Sequence, residues 1–282
     1  MKEIIIKSYG KINLSLDVVR KREDGYHDID TIMQRISLYD NLHIKRISGD
    51  DLIIKSNNKL VPLDNTNLVY KGWEKLKKYK KEATGIEIFI DKKIPMAAGL
   101  AGGSTNVASF MAVLNKIWNL NLKNEELMQI GKTIGADVAY FFDGRTCRAQ
   151  GIGEILTPIK EFKGYNVLIV NNGKDISSKY VYTNIKPSGQ NDKMTKVIEA
   201  IEENNLEKLQ KYGYNNMEEV SFNLYKDIEI IKKDMLEKGA DFSLMSGSGP
   251  TVFGIFEDLD KLYKAEKYFK EKYKNVYIAK TI

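Results

Sequence analysis

Apolar residues recur along this chain with a period that switches between two and about three and a half, and each switch marks a change of element. Near the N-terminus Ile12, Leu14, Leu16 and Val18 alternate with mostly polar residues, as in a half-buried strand. Glu3 to Lys7 reads as a short strand before it. After the Asp24-Gly25 turn signal, Ile36 to Leu38, Leu42 to Ile47 and Leu52 to Ile54 read as further strands, most economically assembled antiparallel. A helix is expected from about Leu68 to Tyr79, then a strand through Ile86, Ile88 and Ile90. Beyond these, Val107, Phe110, Met111, Leu114, Ile117 and Trp118 fall at helical spacing, and Asn124 to Gly131 predicts one more helix.

The second half opens with a buried-looking strand, Val167 to Val170. Helices are expected at about Lys193 to Lys211 and Met217 to Lys238, then a strand at Phe242 to Met245. A compact turn, Ser246 to Pro250, leads to a strand Thr251 to Phe256, a helix Leu259 to Tyr273 and a last strand Val276 to Ala279. This alternation predicts an α+β architecture with helices on one face of a sheet. A soft boundary near residue 160 divides the chain into 1–160 and 161–282.

Composition narrows the picture modestly. With 282 residues and 43% hydrophobic content the chain can bury a real core. Forty-four Lys and Arg against 38 Asp and Glu give a formal net charge of +6, which favours anionic partners. The lysines gather in helix-like stretches such as 71–81 and 261–274, however, where a solvated face explains them. A single cysteine, Cys147, excludes an internal disulfide and a cysteine metal cluster, and only two histidines, His27 and His43, argue against a histidine-rich metal site. No apolar run approaches the roughly twenty residues needed to cross a bilayer, and Ile4 to Ile6 is too short for a signal-peptide core. A soluble, cytoplasmic protein with no membrane partner is expected.

Between the Ile86 to Ile90 strand and the following helix lies Pro95-Met-Ala-Ala-Gly-Leu-Ala-Gly-Gly-Ser-Thr105. Gly99, Gly102 and Gly103 permit positive φ and a close approach to a ligand, and Ser104 or Thr105 can cap the helix. Free N–H groups at a helix start suit a phosphate; an ordinary capped loop has the same local features. Other phosphate signatures fail: Gly131-Lys132-Thr133 has Glu126 where a P-loop needs its first glycine, Gly151-Ile-Gly153 has Leu156 where a dinucleotide fingerprint needs its last, and protein-kinase signatures are missing.

Three separated motifs nevertheless stand in the order of one superfamily: Lys11-Ile-Asn13, Pro95 to Thr105 and Leu244-Met-Ser-Gly-Ser-Gly-Pro-Thr-Val252. In these the chain resembles the GHMP kinases, which include galactokinase, homoserine kinase and mevalonate kinase. Lys21-Arg-Glu-Asp-Gly-Tyr-His27, Gly135-Ala-Asp-Val138 and Gly151-Ile-Gly-Glu154 are similar to the branch acting on 4-diphosphocytidyl-2-C-methyl-D-erythritol in non-mevalonate isoprenoid precursor biosynthesis. Three positions depart from that branch's commonest text: Ala139 stands where proline usually follows Asp-Val, Asn106 lies where Asp or Asn is found after the Ser pair of that branch, and Asn216 replaces a frequent Asp.

The resemblance implies a two-domain fold, with an N-terminal ribosomal-protein-like ATP domain and a C-terminal ferredoxin-like α/β sandwich. It implies ATP and Mg2+ as cofactors, and phosphorylation of the acceptor's 2-hydroxyl. Asp137 is implied as the base and Lys11 as its cationic partner. The nucleotide would lie against Pro95, Met96, Ala97, Ala98, Gly99, Leu100, Ala101, Gly102, Gly103, Ser104 and Thr105, with Asn67 near the adenine and the Ser104 and Thr105 hydroxyls near a phosphate or Mg2+. Tyr26, His27 and Tyr182 would hold the cytosine, and Asn13 and Ser178 would make polar contacts with the substrate. No metal-ligating side-chain set and no nucleic-acid partner are expected, and the chain would be a monomer or weak homodimer. The alternatives are another GHMP kinase, acting on homoserine, mevalonate or a sugar, and a non-catalytic RNA- or ligand-binding relative.

Overall fold

In the computed structural model, which describes residues 3–189 and 192–282, the chain opens with two long paired strands, β1 (Ile4–Lys21) and β2 (His27–Ile47). The two strands expected within β1 are one, because the residues between them are extended too, with Ser8 and Gly10 buried. Their turn closes with Arg22 N donating to Tyr26 O at 2.8 Å, and Gly25 takes the left-handed conformation at φ +85°. Both strands contribute to two compact units.

The first unit comprises Met1–Gly10, Tyr39–Met96 and Ala101–Gly144. It adds β3 (Leu52–Ser56), α1 (Leu68–Lys77), β4 (Gly85–Asp91), α2 (Gly102–Ile117), α3 (Asn124–Lys132) and α4 (Tyr140–Asp143). Residues 41–47 of β2 pair antiparallel with β4, but β3 pairs with β4 in parallel. That departs from the all-antiparallel expectation for a topological reason: α1 lies between β3 and β4 in the chain and carries it back to the same end of the sheet. Ile86, Ile88 and Ile90 point inward as their alternation requires, and the unit buries Trp73, Leu76, Phe110 and Leu114 with them. On the other face of β4, Glu87 bridges Lys45 and Lys55 at 2.8 Å each. Gly72 lets α1 and α2 approach closely, since a Cβ there would lie 2.5 Å from Val107 Cγ2.

One buried charge pair fixes the chain as it leaves β4. Asp40 is fully buried and accepts from Lys92 Nζ at 2.5 Å, Lys93 N at 2.7 Å and Ile94 N at 2.8 Å. Burial pushes the Lys92 pKa down, and the Asp40 charge opposes that shift. The carboxylate thus holds the residues immediately before Pro95.

The second unit comprises Lys11–Leu38, Ala97–Leu100 and Arg145–Ile282. Residues 29–33 of β2 pair with β5 (Cys147–Gly151), which pairs with β6 (Ile155–Pro158). A separate antiparallel sheet is built from β7 (Asn166–Asn171), β8 (Phe242–Met245), β9 (Val252–Phe256) and β10 (Asn275–Lys280), in the order β10-β7-β9-β8. Around it lie α5 (Ser178–Asn184), α6 (Lys193–Glu202), α7 (Leu206–Tyr212), α8 (Glu218–Leu224), α9 (Lys226–Glu237) and α10 (Leu259–Lys270). Leu168, Val170, Ile228, Ile231, Met235, Phe256 and Phe269 share one apolar cluster that also takes in Val18 of β1.

Two expected helices are each two helices. The 193–211 stretch breaks where Asn204 adopts φ +52° and Asn205 caps α7 by accepting from Lys208 N at 2.8 Å. The 217–238 stretch breaks at Tyr225, whose φ of −140° ends α8 and starts α9.

The Asp40–Lys92 pair yields a stability prediction. Asp40→Ala leaves a buried ammonium and two amides without their acceptor, so urea unfolding should show a loss of about 3–5 kcal/mol. A loss below about 1 kcal/mol would show that the pair does not anchor this segment.

Candidate active site

Pro95 to Thr105 folds as a loop running into α2, and of the three glycines expected to allow positive φ only Gly99 takes it. Left-handed φ is taken by Ala97 (+48°), Gly99 (+72°) and Ala101 (+53°), whereas Gly102 and Gly103 are already the first residues of α2. Ala101 is the N-cap, so Ser104 and Thr105 lie in the first turn and cap nothing. This corrects the expected capping role: the left-handed Ala101 starts the helix early. Thr105 N donates to Ala101 O at 3.0 Å, and the amides of Gly102, Gly103 and Ser104 before it bond no carbonyl among the described residues. Gly103 is exposed and Ser104 half-buried, whereas the Thr105 hydroxyl turns inward and accepts from Ser8 Oγ at 3.1 Å. Such a helix start attracts an anion. Ala98 and Leu100 are buried and anchor the loop, with Pro95 and Met96 half-buried beside them in the chain.

Gly99 is where glycine is indispensable. A Cβ there would lie 2.0 Å from the carbonyl oxygen of Ser246, in the turn between β8 and β9. Ser246 Oγ donates to Gly99 O at 2.9 Å and accepts from Asn13 N at 3.3 Å. The third motif therefore packs backbone to backbone against the second, and reaches the first.

Lys11 lies 4% exposed on β1, its N–H donating to Leu100 O at 3.2 Å. Its ammonium donates to Asn13 Oδ1 at 2.6 Å. Asn13 Nδ2 in turn donates to Thr31 Oγ1 at 2.8 Å, and Thr31 to Ser15 O at 2.6 Å. A lysine with so little solvent has a fixed direction, set here by a relay of buried polar groups.

At the far end of the same hairpin the aromatic residues assemble. His27 stacks on Tyr182 of α5, with centroids 5.2 Å apart and planes inclined at 27°, while Tyr26, which precedes His27 in the chain, is 61% exposed. Burial, reinforced by the Lys21 charge, holds His27 below its ordinary 6.5. Ser178 opens α5 and shares a 2.8 Å hydroxyl contact with Ser248 of the glycine turn.

Other expected residues have structural duties. Asn67 caps α1, its Oδ1 accepting from Val69 N at 2.9 Å and its Nδ2 donating to Pro62 O at 2.6 Å. Asp137 sits half-buried in the turn between α3 and α4. Ala139, the position where proline is usual, has φ −59°, a value that proline also adopts. Glu154 folds over its own turn and accepts from Ile152 N at 2.6 Å. Asn216 donates to Asp17 Oδ1 at 2.8 Å, a contact that an aspartate there would turn into repulsion. Sequence reasoning did not single out Thr31, Ser246 or Asn215; Ser246 carried a signal by lying in the third motif.

The chain is similar to known proteins along nearly its whole length. The GHMP kinases N terminal domain pattern matches residues 67–145 and the GHMP kinases C terminal pattern residues 197–275. The chain is 46% identical to the 4-diphosphocytidyl-2-C-methyl-D-erythritol kinase of Finegoldia magna, over 98% of this chain and 99% of that protein. It is 44% identical to the enzyme of that name from Alkaliphilus oremlandii, over 100% of this chain and 97% of that protein. A crystal structure of 4-(cytidine 5'-diphospho)-2C-methyl-D-erythritol kinase superposes with TM-score 0.83 at 26% identity, covering 98% of both chains. Homoserine kinase from Cytophaga hutchinsonii shares the fold with TM-score 0.79 at 16% identity, over 100% of this chain and 96% of that chain.

Two measurements check this description. A histidine NMR titration should place His27 below 6.5. Because the unfolded chain then binds the proton more readily, stability should fall as pH drops from 6.5 through the folded value. Gly99→Ala should lower stability by more than about 2 kcal/mol in thermal unfolding, from the clash with Ser246 O together with a left-handed φ.

Proposed function

We propose, because this chain belongs to the GHMP kinases and within them to the 4-diphosphocytidyl-2-C-methyl-D-erythritol kinase family, that it transfers the γ-phosphoryl group of ATP to the 2-hydroxyl of that diphosphocytidyl alcohol. It is an ATP-dependent small-molecule kinase. The observation that carries the residue assignment is the bare helix start at Gly102 to Ser104, behind a loop buttressed at Gly99.

Phosphoryl transfer needs positioning and charge stabilisation more than covalent chemistry. The backbone of Pro95 to Thr105 would wrap the β- and γ-phosphates, with amide donors from the start of α2. The adenine would lie towards the cap of α1 at Asn67. A magnesium ion would be held here by the phosphates together with the Ser104 hydroxyl, since Mg2+ takes phosphate oxygens and water with few protein ligands. Bound there, it would neutralise phosphate charge.

Asp137 accepts the proton of the 2-hydroxyl as phosphoryl transfer proceeds. Lys11 stabilises charge on the transferring group, and Asn13, holding Lys11 on one side and Thr31 on the other, keeps that ammonium aimed. The cytosine is read at the His27–Tyr182 pair, with Tyr26 as a further aromatic face and Ser178 as a polar contact. His27 stays neutral at pH 7, which leaves one ring nitrogen as donor and the other as acceptor for a base edge. The acceptor is a small molecule, and no helix among the described residues is long and apolar enough to cross a membrane. A cytoplasmic monomer or weak homodimer accords with this reading.

Turnover with ATP and 4-diphosphocytidyl-2-C-methyl-D-erythritol, against homoserine, mevalonate and sugar controls, tests the substrate. Asp137→Asn should lower kcat by about a hundredfold or more, and unchanged turnover would remove it as the base. Lys11→Ala should lower kcat as well. A change confined to KM would rule out charge stabilisation in the transition state.

A further inference from the structure

The turn from Ser246 to Pro250 is gripped from behind by side chains that the reaction above leaves unused. Asn215, 3% exposed, donates one amide hydrogen to Met245 O and the other to Gly247 O, each at 2.8 Å. Its Oδ1 accepts from Met217 N at 3.0 Å. Glu218 Oε1 accepts from Met245 N at 3.0 Å, and Ser221 Oγ donates to Ser248 O at 3.0 Å. The lead-in and first turns of α8 thus bind the peptide groups on either side of Ser246 and beyond it.

Within this bracket Asn215 alone reaches Gly247. Gly247 is left-handed at φ +58°, and a Cβ on it would meet Gly99 Cα at 3.3 Å. Three constraints set its orientation: the Asn215 bond, contact with Gly99, and the turn bond from Gly249 N to Ser246 O at 3.0 Å. On the other side, Ser246 O occupies the space where a residue-99 side chain would stand, and Ser246 Oγ donates to Gly99 O. Any shift of the Gly247 peptide is therefore passed to Gly99 by direct backbone contact. Gly99 in turn lies just before the amides at the start of α2.

We propose that Asn215 is a positioning residue for the nucleotide phosphates, setting the Gly247 peptide and, through Ser246 and Gly247, the backbone of Gly99. This rests on the reading of Pro95 to Thr105 as the ATP cradle. The neighbouring Asn216 supplies a control of matching chemistry. It is also an amide with several hydrogen bonds, to Asp17 Oδ1, Val18 N and Val18 O, and it holds β1 rather than the turn. Losing either amide costs stability; only Asn215 leads to Gly99.

The test is the dissociation constant of a magnesium-bound, non-hydrolysable ATP analogue for the full chain, by calorimetry, with thermal midpoints measured alongside. Asn215→Ala should bind about tenfold or more weakly, Asn215→Ser, which keeps one donor, about threefold more weakly, and Asn216→Ala within about twofold of the parent despite a lowered midpoint. Asn215→Ala within twofold of the parent overturns the proposal, as does an equal weakening in Asn216→Ala, which would mark the effect as general loosening. If Asn215→Ala does not fold, Asn215→Ser decides, with parental affinity counting against the proposal. Failure of the parent to bind the analogue refutes the cradle reading, and this proposal falls with it. Parental binding with unchanged variants refutes the proposal alone.

Discussion

Residue 99 can carry no side chain, and much of the second unit's site follows from that. The carbonyl of Ser246 sits where a Cβ would be, so two glycine-rich segments far apart in sequence touch through their backbones. Side chains can move to relieve a clash, but a peptide group held by hydrogen bonds on both sides cannot move without dragging its neighbours. The contact therefore sets one spacing between the 97–100 segment and the 246–250 turn. The Ser246 hydroxyl extends that spacing to β1 by bonding both Gly99 O and Asn13 N. From Asn13 the order passes to the ammonium of Lys11.

The first unit solves a related problem with charge. Asp40 gathers an ammonium and two successive amides at the exit of β4, and so fixes the residues that lead to Pro95. Replacing this arrangement by apolar residues could be equally stable, because two buried charges lose most of what they gain from each other in desolvation. What the carboxylate adds is direction: it selects one path for the backbone.

Much of this was legible in the sequence where periodicity and packing agree. The alternation at Ile86 to Ile90, the helical stripe through Phe110 and Leu114, and the run Val167 to Val170 all lie where their patterns put them. Order of motifs supplied the family, which the comparisons bear out. The breaks at Asn204 and Tyr225 were hidden because apolar residues recur at helical spacing before and after each of them in the chain. The parallel β3–β4 pairing was hidden because strand patterns carry no direction. Ala97 and Ala101 gave no warning of left-handed φ, since alanine takes it only when tertiary contacts compel it. Lys11 by its type reads as a solvated strand residue, and only the resemblance set it apart. Its relay through Asn13 and Thr31 depends on strand pairing that a linear pattern does not reveal.

In the function proposed above, the bare helix start at Gly102 to Ser104 holds ATP while Asp137 serves the acceptor. A crystal structure with a non-hydrolysable ATP analogue and the diphosphocytidyl alcohol bound together tests it most directly. Phosphate oxygens should lie on the amides of Gly102 to Ser104, with the Asp137 carboxylate within hydrogen-bonding distance of the acceptor's 2-hydroxyl. Phosphates bound away from Pro95 to Thr105, or a 2-hydroxyl facing a group other than Asp137, would contradict it.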